Sequence, residues 1–576
     1  MTNDAMKHPF FFFLVMLFLA ALFHLPPAAA FASAPLSSEQ ERAVNELVKG
    51  YGSGASGFWS VFGDIKERID GPVLKRVLDH AAAKQDAALV ALVVEGARVK
   101  GDEKTLASLM LSAADALLSI GGHDEALKLY DSAMPLARRL EDPLLMAKAH
   151  EGNGDITFHS GNPTNALLMY RRAADLYARG GSLPGQGVVA RKMGDVLIQT
   201  GDNGQAAKVL ENALRILKSG PNPVEEGNAY RSLGSLAMRQ RDHRTALSFL
   251  ELALARYATA GDKNGEADVR RGFGETALRT GDNERAHEEY SKALALYDTT
   301  GYRVGQGYAR KGLGDIAFFA GRNDEARGLY EKALQSFTTA GYPLGQADVL
   351  RRMGQLNLRG GHIEEARASY EKALPIYGKV REPVGQADVY KGLGDIGYYG
   401  RNFSSALELY DKALPYYVHA GEPLGQGNVH RATGDIYFYA GDYAKAMEYY
   451  EKALSFYMKA NSPMGQANTY RTMGEAYVRL GKTDHALAMF TSAMVIYKKV
   501  NEPIGQGDIC KTLGEIYLEK GNRMGALDMF RKALTYVTAA HSVVDQGHAY
   551  QGIGDVFLSA GDLGKSLENY DTALEL

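Results

Sequence analysis

The amino-acid sequence predicts an all-α protein, an α-solenoid of about twelve antiparallel helix pairs. Three observations support this prediction. Residue types recur every 40 positions over most of the chain, the apolar residues of each unit follow helical spacing, and glycine or proline marks the ends of the predicted helices. With 576 residues, 45% hydrophobic content and a net charge of −3, the chain can bury enough surface to fold, and its charge balance does not favour a nucleic-acid partner.

The first 32 residues predict a secretory signal peptide. An uninterrupted apolar run spans 10–23, Lys7 precedes it, and the small residues Ala28, Ala30 and Ala32 follow it. A membrane span needs about 20 residues, and this run is shorter. We therefore expect cleavage after Ala32 and export of the mature chain to the periplasm or the extracellular space, with no stable membrane span. An uncleaved anchor is the alternative.

Residues 33–101 predict an irregular helical N-terminal segment. Its periodicity is interrupted at Gly52, Gly54 and Gly57, which spell G-x-G-x-x-G. A dinucleotide site would need a strand before this motif and a βαβ unit around it, and the sequence predicts neither. We therefore expect a linker here, with Trp59 packing the segment against the first repeat.

Residues 102–576 predict an array of twelve 40-residue units, the last one truncated. A glycine occupies the same position in eleven of the units, and small, large and again small residues follow it at fixed distances, as in Gly394, Ala406, Tyr410 and Ala413. Glycine inside a helix costs about 0.5–1 kcal/mol relative to alanine. We therefore expect these glycines at close helix crossings, where a Cβ would collide with the neighbouring helix.

Each unit predicts two helices. The first begins near a proline such as Pro423, and ends at a Gly-Asp or Gly-Asn pair such as Gly441-Asp442, which can terminate one helix and cap the next. A second column of glycine, usually followed by glutamine as in Gly425-Gln426, recurs in most units. We expect this column to pack units together, with the glutamine bonding to loop carbonyls.

This pattern resembles the tetratricopeptide repeat family over about 475 of the 576 residues. The residues that carry the resemblance in one unit are Tyr390, Leu393, Gly394, Ala406, Tyr410 and Ala413. Two features depart from the family pattern, since Gly397 replaces the usual tyrosine and the period is 40 rather than 34. The resemblance implies a right-handed superhelix in which the first helix of each unit lines a concave groove.

The family's groove positions fall on three polar columns of this sequence. One column is basic, a mainly acidic column lies four residues later, and a column of short polar residues lies three residues before the basic one. The candidate partner-binding residues in these columns are Arg351, Lys391, Arg431, Arg471, Asp395, Asp435, Asn428 and Asn468.

The same columns could instead form an internal ladder that only stabilises the array, and the sequence leaves both interpretations open. Within a helix, a basic residue followed by an acidic one is the weaker order. We therefore expect any such ion pairs to form between repeats.

Paired aromatic residues lie at the ends of three first helices: Phe318-Phe319, Tyr398-Tyr399 and Phe438-Tyr439. We expect the first ring of each pair to fill the gap between helices. The second rings, Tyr399 and Tyr439, are then the candidates for exposed partner contacts, since aromatic rings beside arginine are common in recognition surfaces.

No catalytic, cofactor or metal site is predicted. The sequence contains no H-E-x-x-H, Walker or G-x-S-x-G motif, and its 14 histidines lack ligand spacing. Because Cys510 is the only cysteine, the chain cannot form an internal disulfide. Cys510 falls in a column of core tyrosines, so we expect it to be buried.

These observations predict a non-enzymatic scaffold that binds a protein or peptide along the concave groove. The alternative is a sensory or regulatory arm of a larger enzyme or signalling assembly. The last unit stops at Leu576 without a polar capping helix. Because solenoids need such caps, we expect either self-association through this end or a longer natural chain.

Overall fold

The computed structural model describes residues 36–52, 54–64, 69, 71–84, 87–100, 102–119, 122–160, 162–240, 242–380 and 382–576. The predicted signal peptide lies outside the described residues. Throughout those ranges, all regular secondary structure is helical, and 28 helices follow one another without a strand. The prediction of an all-α fold is therefore confirmed.

Four helices precede the repeats: α1 (Ser38–Tyr51), α2 (Ala55–Asp64), α3 (Gly71–Lys84) and α4 (Ala87–Lys100). A capping box starts α1, in which the Ser37 hydroxyl accepts from the Gln40 amide and the Gln40 side chain accepts from the Ser37 amide. Phe58 and Phe62 are buried in a core that extends to Ala126 of the first repeat, and Trp59 packs against that core. These helices thus cover the start of the array.

Contacts divide the chain into two compact units, with the boundary in the sequence between Gly385 and Gln386. In the first unit, each helix pair of the array is joined by a short connection and packs in sequence order. The helices are α5 (Glu103–Ser119), α6 (His123–Arg139), α7 (Pro143–His159), α8 (Pro163–Arg179), α9 (Leu183–Thr200), α10 (Asn203–Leu217), α11 (Pro223–Arg239), α12 (His243–Ala260), α13 (Lys263–Arg279), α14 (Asn283–Thr300), α15 (Arg303–Phe319), α16 (Asn323–Thr339), α17 (Pro343–Arg359) and α18 (Ile363–Lys379).

The second unit contains five further helix pairs. They are formed by α19 (Pro383–Tyr399), whose first turn precedes the unit boundary, and by α20 (Phe403–His419), α21 (Pro423–Tyr439), α22 (Tyr443–Lys459), α23 (Pro463–Arg479), α24 (Thr483–Lys499), α25 (Pro503–Glu519), α26 (Arg523–Ala539), α27 (Val543–Ala560) and α28 (Leu563–Glu575). First helices of neighbouring repeats also contact each other, as α21 contacts α23 and α25 contacts α27. Each unit is thus a solenoid of stacked helix pairs.

Helix ends follow the predicted chemistry. Gly441 has a φ of 81°, which favours glycine, and it separates α21 from α22. The next residue, Asp442, caps α22 because its carboxylate accepts a hydrogen bond of 3.0 Å from the backbone amide of Lys445. The following first helix begins at Pro463. Proline is favourable there because the backbone amide it lacks would have no hydrogen-bond partner within the helix.

Both glycine columns lie where helices approach most closely, as predicted. A Cβ on Gly434 would lie 2.7 Å from Cε1 of Tyr450, within one repeat, and a Cβ on Gly425 would lie 2.3 Å from Cδ1 of Tyr417 in the preceding repeat. Gln426 Nε2 donates to the carbonyl of Tyr417 at 3.4 Å. Glycine therefore makes room for a tyrosine ring on both sides of α21.

Candidate functional site

The basic and acidic columns of the second unit form ion pairs within single first helices. Lys391 Nζ lies 2.7 Å from Oδ2 of Asp395, and one Arg431 guanidinium nitrogen lies 3.3 Å from Oδ2 of Asp435. Arg471 pairs in the same way with Glu475. All six side chains are partly buried, so these pairs form a ladder along the first-helix layer.

Pairing within the helix corrects our expectation that the ion pairs would form between repeats. The reason is a tertiary contact: Tyr410 on the second helix donates to Oδ1 of Asp395 at 2.8 Å and holds the carboxylate in place for Lys391. Between-repeat pairs do occur in the first unit. Arg231, which has Ser235 instead of an acid four residues later, pairs with Asp268 of the next repeat at 2.9 Å.

The short polar column receives a second tyrosine from each second helix. Tyr457 donates to Oδ1 of Asn428 at 2.8 Å, and Tyr497 donates to Oδ1 of Asn468 at 2.6 Å. The same bond joins other second-helix tyrosines to Asn228, Asp268, Asp348 and Asp388. The sequence analysis identified the short polar column but missed this second column of tyrosines, whose signal is a tyrosine seven residues after the first aromatic, as Tyr457 follows Tyr450.

Because each Oδ1 accepts from tyrosine, the orientation of both carboxamides is determined. The Nδ2 groups of Asn428 and Asn468 then point away from Tyr457 and Tyr497 and make no hydrogen bond to any of the described residues. Both asparagines are partly exposed. Each therefore offers two oriented amide donors on the first-helix face.

Arg351, the remaining basic candidate, belongs to the first unit. Its Nε donates to the hydroxyl of Tyr377 at 3.3 Å, and Tyr377 donates to Asp348 at 2.7 Å. The second unit repeats this arrangement around Tyr457. The nine other candidate residues lie in the second unit.

Burial changes the proton affinity of this face. It raises the pKa of the Asp435 carboxyl, and the Arg431 guanidinium and the Tyr450 hydroxyl offset it only in part. Burial also raises the pKa of Glu475, despite its pairing with Arg471. A ligand that supplies hydrogen-bond donors to these carboxylates would therefore be stabilised.

Aromatic residues form a cluster where α19 and α21 end. Tyr399 and Tyr439 are each 67% exposed, whereas Tyr398 and Phe438 are partly buried, as predicted. The Tyr398 ring centroid lies 5.4 Å from that of Tyr399 and 5.8 Å from that of Tyr439. The Phe438 centroid lies 5.8 Å from that of Tyr439. Buried rings thus support two exposed ones.

The first unit holds a buried charge network that the sequence analysis did not identify. Glu151, only 4% exposed, pairs with Lys192 at 2.7 Å and with Lys148 at 3.4 Å, and accepts from the Tyr177 hydroxyl at 2.6 Å. Burial by itself would raise the pKa of the Glu151 carboxyl. The two ammonium groups and the hydroxyl outweigh that effect and hold the pKa well below its usual range.

Three further observations concern other kinds of site. Burial raises the pKa of the Cys510 thiol to about 11, so the thiolate is scarce at neutral pH. The described residues contain no group of three or more His, Cys, Asp and Glu that could hold a metal ion. Of the helices described, none is both long and apolar enough to cross a membrane.

A tetratricopeptide repeat family model matches the sequence at residues 225–299, 307–379, 385–459 and 434–499. No curated protein is a significant match to the chain. The matched residues include the whole of the ion-pair ladder from Lys391 to Glu475 and both exposed tyrosines.

The solved structures that match this chain share little sequence with it. A Rap protein complexed with Competence and Sporulation Factor is 13% identical, with 62% of this chain and 99% of that one covered and a TM-score of 0.46. The quorum sensor NprR from B. thuringiensis, in its apo form, is 15% identical over 59% of this chain and 98% of its own, with a TM-score of 0.44. BtubC from P. vanneervenii is 19% identical over 37% and 90%, with a TM-score of 0.33.

Proposed function

Since residues 225–299, 307–379 and 385–499 are matched as tetratricopeptide repeats, we propose that this chain is a non-enzymatic scaffold that binds a protein or peptide along its first-helix face. The observation that carries the proposal is the pair of oriented carboxamides on Asn428 and Asn468. They lie 40 positions apart on α21 and α23, which contact each other, so both can donate to one extended ligand.

The ladder beside these carboxamides suits a peptide backbone. Arg431 and Arg471 are paired with carboxylates, so paired charges and not isolated cations lie beside the two carboxamides. Backbone carbonyls of a ligand would accept from the asparagine Nδ2 groups. Backbone amides would donate to Asp435, whose pKa is raised by burial and would be lowered by a further donor.

The exposed rings supply apolar contact at one end of the same helices. Tyr399 and Tyr439 end α19 and α21, and the rings below them fix their positions without adding flexible side chains. Rigid tyrosines contribute contact area at low entropic cost. Lys391 would extend these contacts toward the first repeat of the second unit, and Arg351 would offer a separate contact in the first unit.

The test exploits natural variation within the array. Asp388 and Asp348 accept the same tyrosine bond that Asn428 accepts, so Asn428→Asp together with Asn468→Asp should keep the fold while removing the amide donors. Asn228→Asp makes the same change in the first unit and serves as the matched control. Crosslinking and mass spectrometry in extract from the native compartment would identify the partners of each variant.

We expect at least one partner to be captured by the unaltered chain and by Asn228→Asp, and to be lost from the Asn428→Asp, Asn468→Asp double variant. Tyr399→Ala with Tyr439→Ala should weaken the same partner, because both rings are exposed and their loss leaves the core intact. If every partner is captured equally by all variants while circular dichroism shows an unchanged fold, the proposal is wrong.

We also propose that the chain is exported to the periplasm or the extracellular space, on the strength of the apolar run at 10–23 and the small residues after it. Amino-terminal sequencing of the protein from its native source should find Ser33 as the first residue. A mature chain that begins at Met1 would contradict cleavage after Ala32.

Self-association is a further proposal, supported by an apolar face on α28. Leu563, Leu567 and Leu574 on this helix are 62%, 61% and 84% exposed, whereas Leu527 and Leu534 on α26 pack against the core of the last repeats. Light scattering should show a dimer that Leu567→Lys converts to a monomer. A monomeric unaltered chain at high protein concentration would exclude this interface.

A further inference from the structure

One face of α22 carries three lysines in a row. Lys445, Lys452 and Lys459 are all exposed and follow one another at intervals of seven residues. Seven residues span about 10.5 Å along a helix and complete nearly two turns, so the three side chains leave the helix in similar directions. The row lies on a second helix, away from the asparagine and arginine columns of the first helices.

Aromatic rings hold each of these lysines in position. The ammonium nitrogens lie over ring centroids as follows: Lys445 at 4.1 Å from Tyr437, Lys452 at 4.7 Å from Tyr449 and Lys459 at 5.0 Å from Phe456. The rings are themselves paired, since Tyr437 stacks on Tyr449 at 5.4 Å and 13° and His430 stacks on Phe456 at 5.3 Å and 16°. The row is therefore preorganised before any ligand arrives.

The positive charge of the row is not compensated by ion pairs. None of the three lysines has a carboxylate within 4.0 Å in the part of the chain that the structure describes, although Glu448 lies on the same helix. Two lysines at the corresponding position of other second helices are paired, Lys532 with Asp528 at 2.7 Å and Lys292 with Glu288 at 2.6 Å. The α22 face is distinguished by its rings, since each of its three lysines lies over an aromatic side chain.

We propose that this face binds an acidic helical segment of a protein partner, with carboxylates at heptad spacing. A helix laid along α22 has the same rise per residue, so carboxylates seven residues apart would meet Lys445, Lys452 and Lys459 in register. The α22 face is separate from the first-helix face, and the proposal does not rest on the function proposed for that face.

The arrangement favours an acidic protein segment over a single-stranded nucleic acid. Proteins bind single-stranded nucleic acids with aromatic rings whose exposed faces stack on the bases. Here the faces of Tyr437, Tyr449, His430 and Phe456 are directed at one another or covered by lysine ammonium groups. The ammonium groups, and not the rings, are thus what the face offers to a ligand.

Fluorescence anisotropy with two peptide isomers tests the proposal on the full chain. Both probes are alanine-rich fluorescein-labelled helices with three glutamates, at heptad spacing in one and clustered in the other. The variant is Lys445→Gln, Lys452→Gln, Lys459→Gln. Its control, with the same loss of charge on neighbouring second helices, is Lys498→Gln, Lys499→Gln, Lys532→Gln.

We expect the unaltered chain and the control to bind the heptad-spaced peptide more tightly than the clustered one, with affinity that falls as salt increases. The α22 variant should bind the heptad-spaced peptide about tenfold more weakly, in line with the loss of three exposed charge contacts. Equal binding of the two isomers, or an equal loss in the control, would overturn the proposal. A labelled oligothymidylate that binds more tightly than either peptide and is lost in the α22 variant would also overturn it, in favour of a nucleic-acid partner.

Discussion

Substitution of alanine for one repeat glycine tests whether the tyrosine rings set the spacing of the helices. A Cβ on Gly434 would lie 2.7 Å and 2.8 Å from Cε1 and Cδ1 of Tyr450, and 3.3 Å from the carbonyl oxygen of Ala446. Carbon atoms in contact normally lie about 3.5–4.0 Å apart. The ring cannot easily move, because Tyr450 is 1% exposed and its hydroxyl donates to Asp435 at 2.9 Å.

The expected magnitude follows from two opposing effects. Overpacking of a close-packed interior costs about 1–3 kcal/mol, and replacement of glycine by alanine inside a helix returns about 0.5–1 kcal/mol. Because the ring is fixed, the cost falls in the upper part of its range, and Gly434→Ala should destabilise its repeat by about 1–2 kcal/mol. Gly234 is the matched control, because a Cβ there would lie 3.4 Å from Cγ of Leu250, which replaces the tyrosine. Gly234→Ala should stabilise its repeat by up to about 1 kcal/mol.

Native-state hydrogen exchange is the suitable assay, since stability in repeat arrays is local. Amides of α21 and α22 should lose about tenfold or more of their protection in Gly434→Ala, while those of α11 and α12 keep or gain protection in Gly234→Ala. If both variants change protection in the same direction and by the same amount, the ring contact is not what requires glycine. A Gly434→Ala variant as protected as the unaltered chain would refute the reasoning equally.

Three further outcomes are expected. Lys192 and Lys148 depress the pKa of Glu151 in the folded state, against the effect of burial. The stability that Glu151 contributes should therefore be complete above a pH of about 4.3, the pKa of an unperturbed glutamate, and should be lost as the pH falls below it. Glu151→Gln should remove this pH dependence, as measured by amide exchange of α7 and α9. Tyr497→Phe should cost about 1 kcal/mol in local stability, because Asn468 loses its donor. Gly328→Ala should stabilise α16 by about 0.5–1 kcal/mol, since a Cβ there meets no atom within 4 Å.

The fold could be predicted because the residues that pack repeats together must recur in every repeat. Gly434 and Gly425 both lie against tyrosine rings, and the same contacts recur along the array, so the pattern in the sequence records the packing directly. No feature of the sequence marks the boundary between the two units after Gly385. The residues on both sides of it, in Pro383–Tyr399, follow the repeat pattern without a change.

The candidate site was predictable only in its exposed part. Tyr399 and Tyr439 were identified as exposed because each follows a ring with the spacing of a buried position. The partner of Lys391 was assigned wrongly, since helix rules consider only residues on the same helix. Tyr410 comes from the other helix of the pair and holds Asp395 in place, and such a tertiary contact overrides the intrinsic preference.

The same tyrosines that pack one repeat against the next also orient the proposed binding groups. Tyr457 is 1% exposed, and its ring lies against Gly465 of the next repeat, where a Cβ would approach Cδ1 to 2.4 Å. The hydroxyl of the same tyrosine orients Asn428. Since the ring cannot shift without disturbing the contact with the next repeat, the Asn428 carboxamide keeps its direction only while that repeat is docked. Loss of a repeat should therefore weaken binding at the asparagine of the repeat before it, even though that asparagine remains in place.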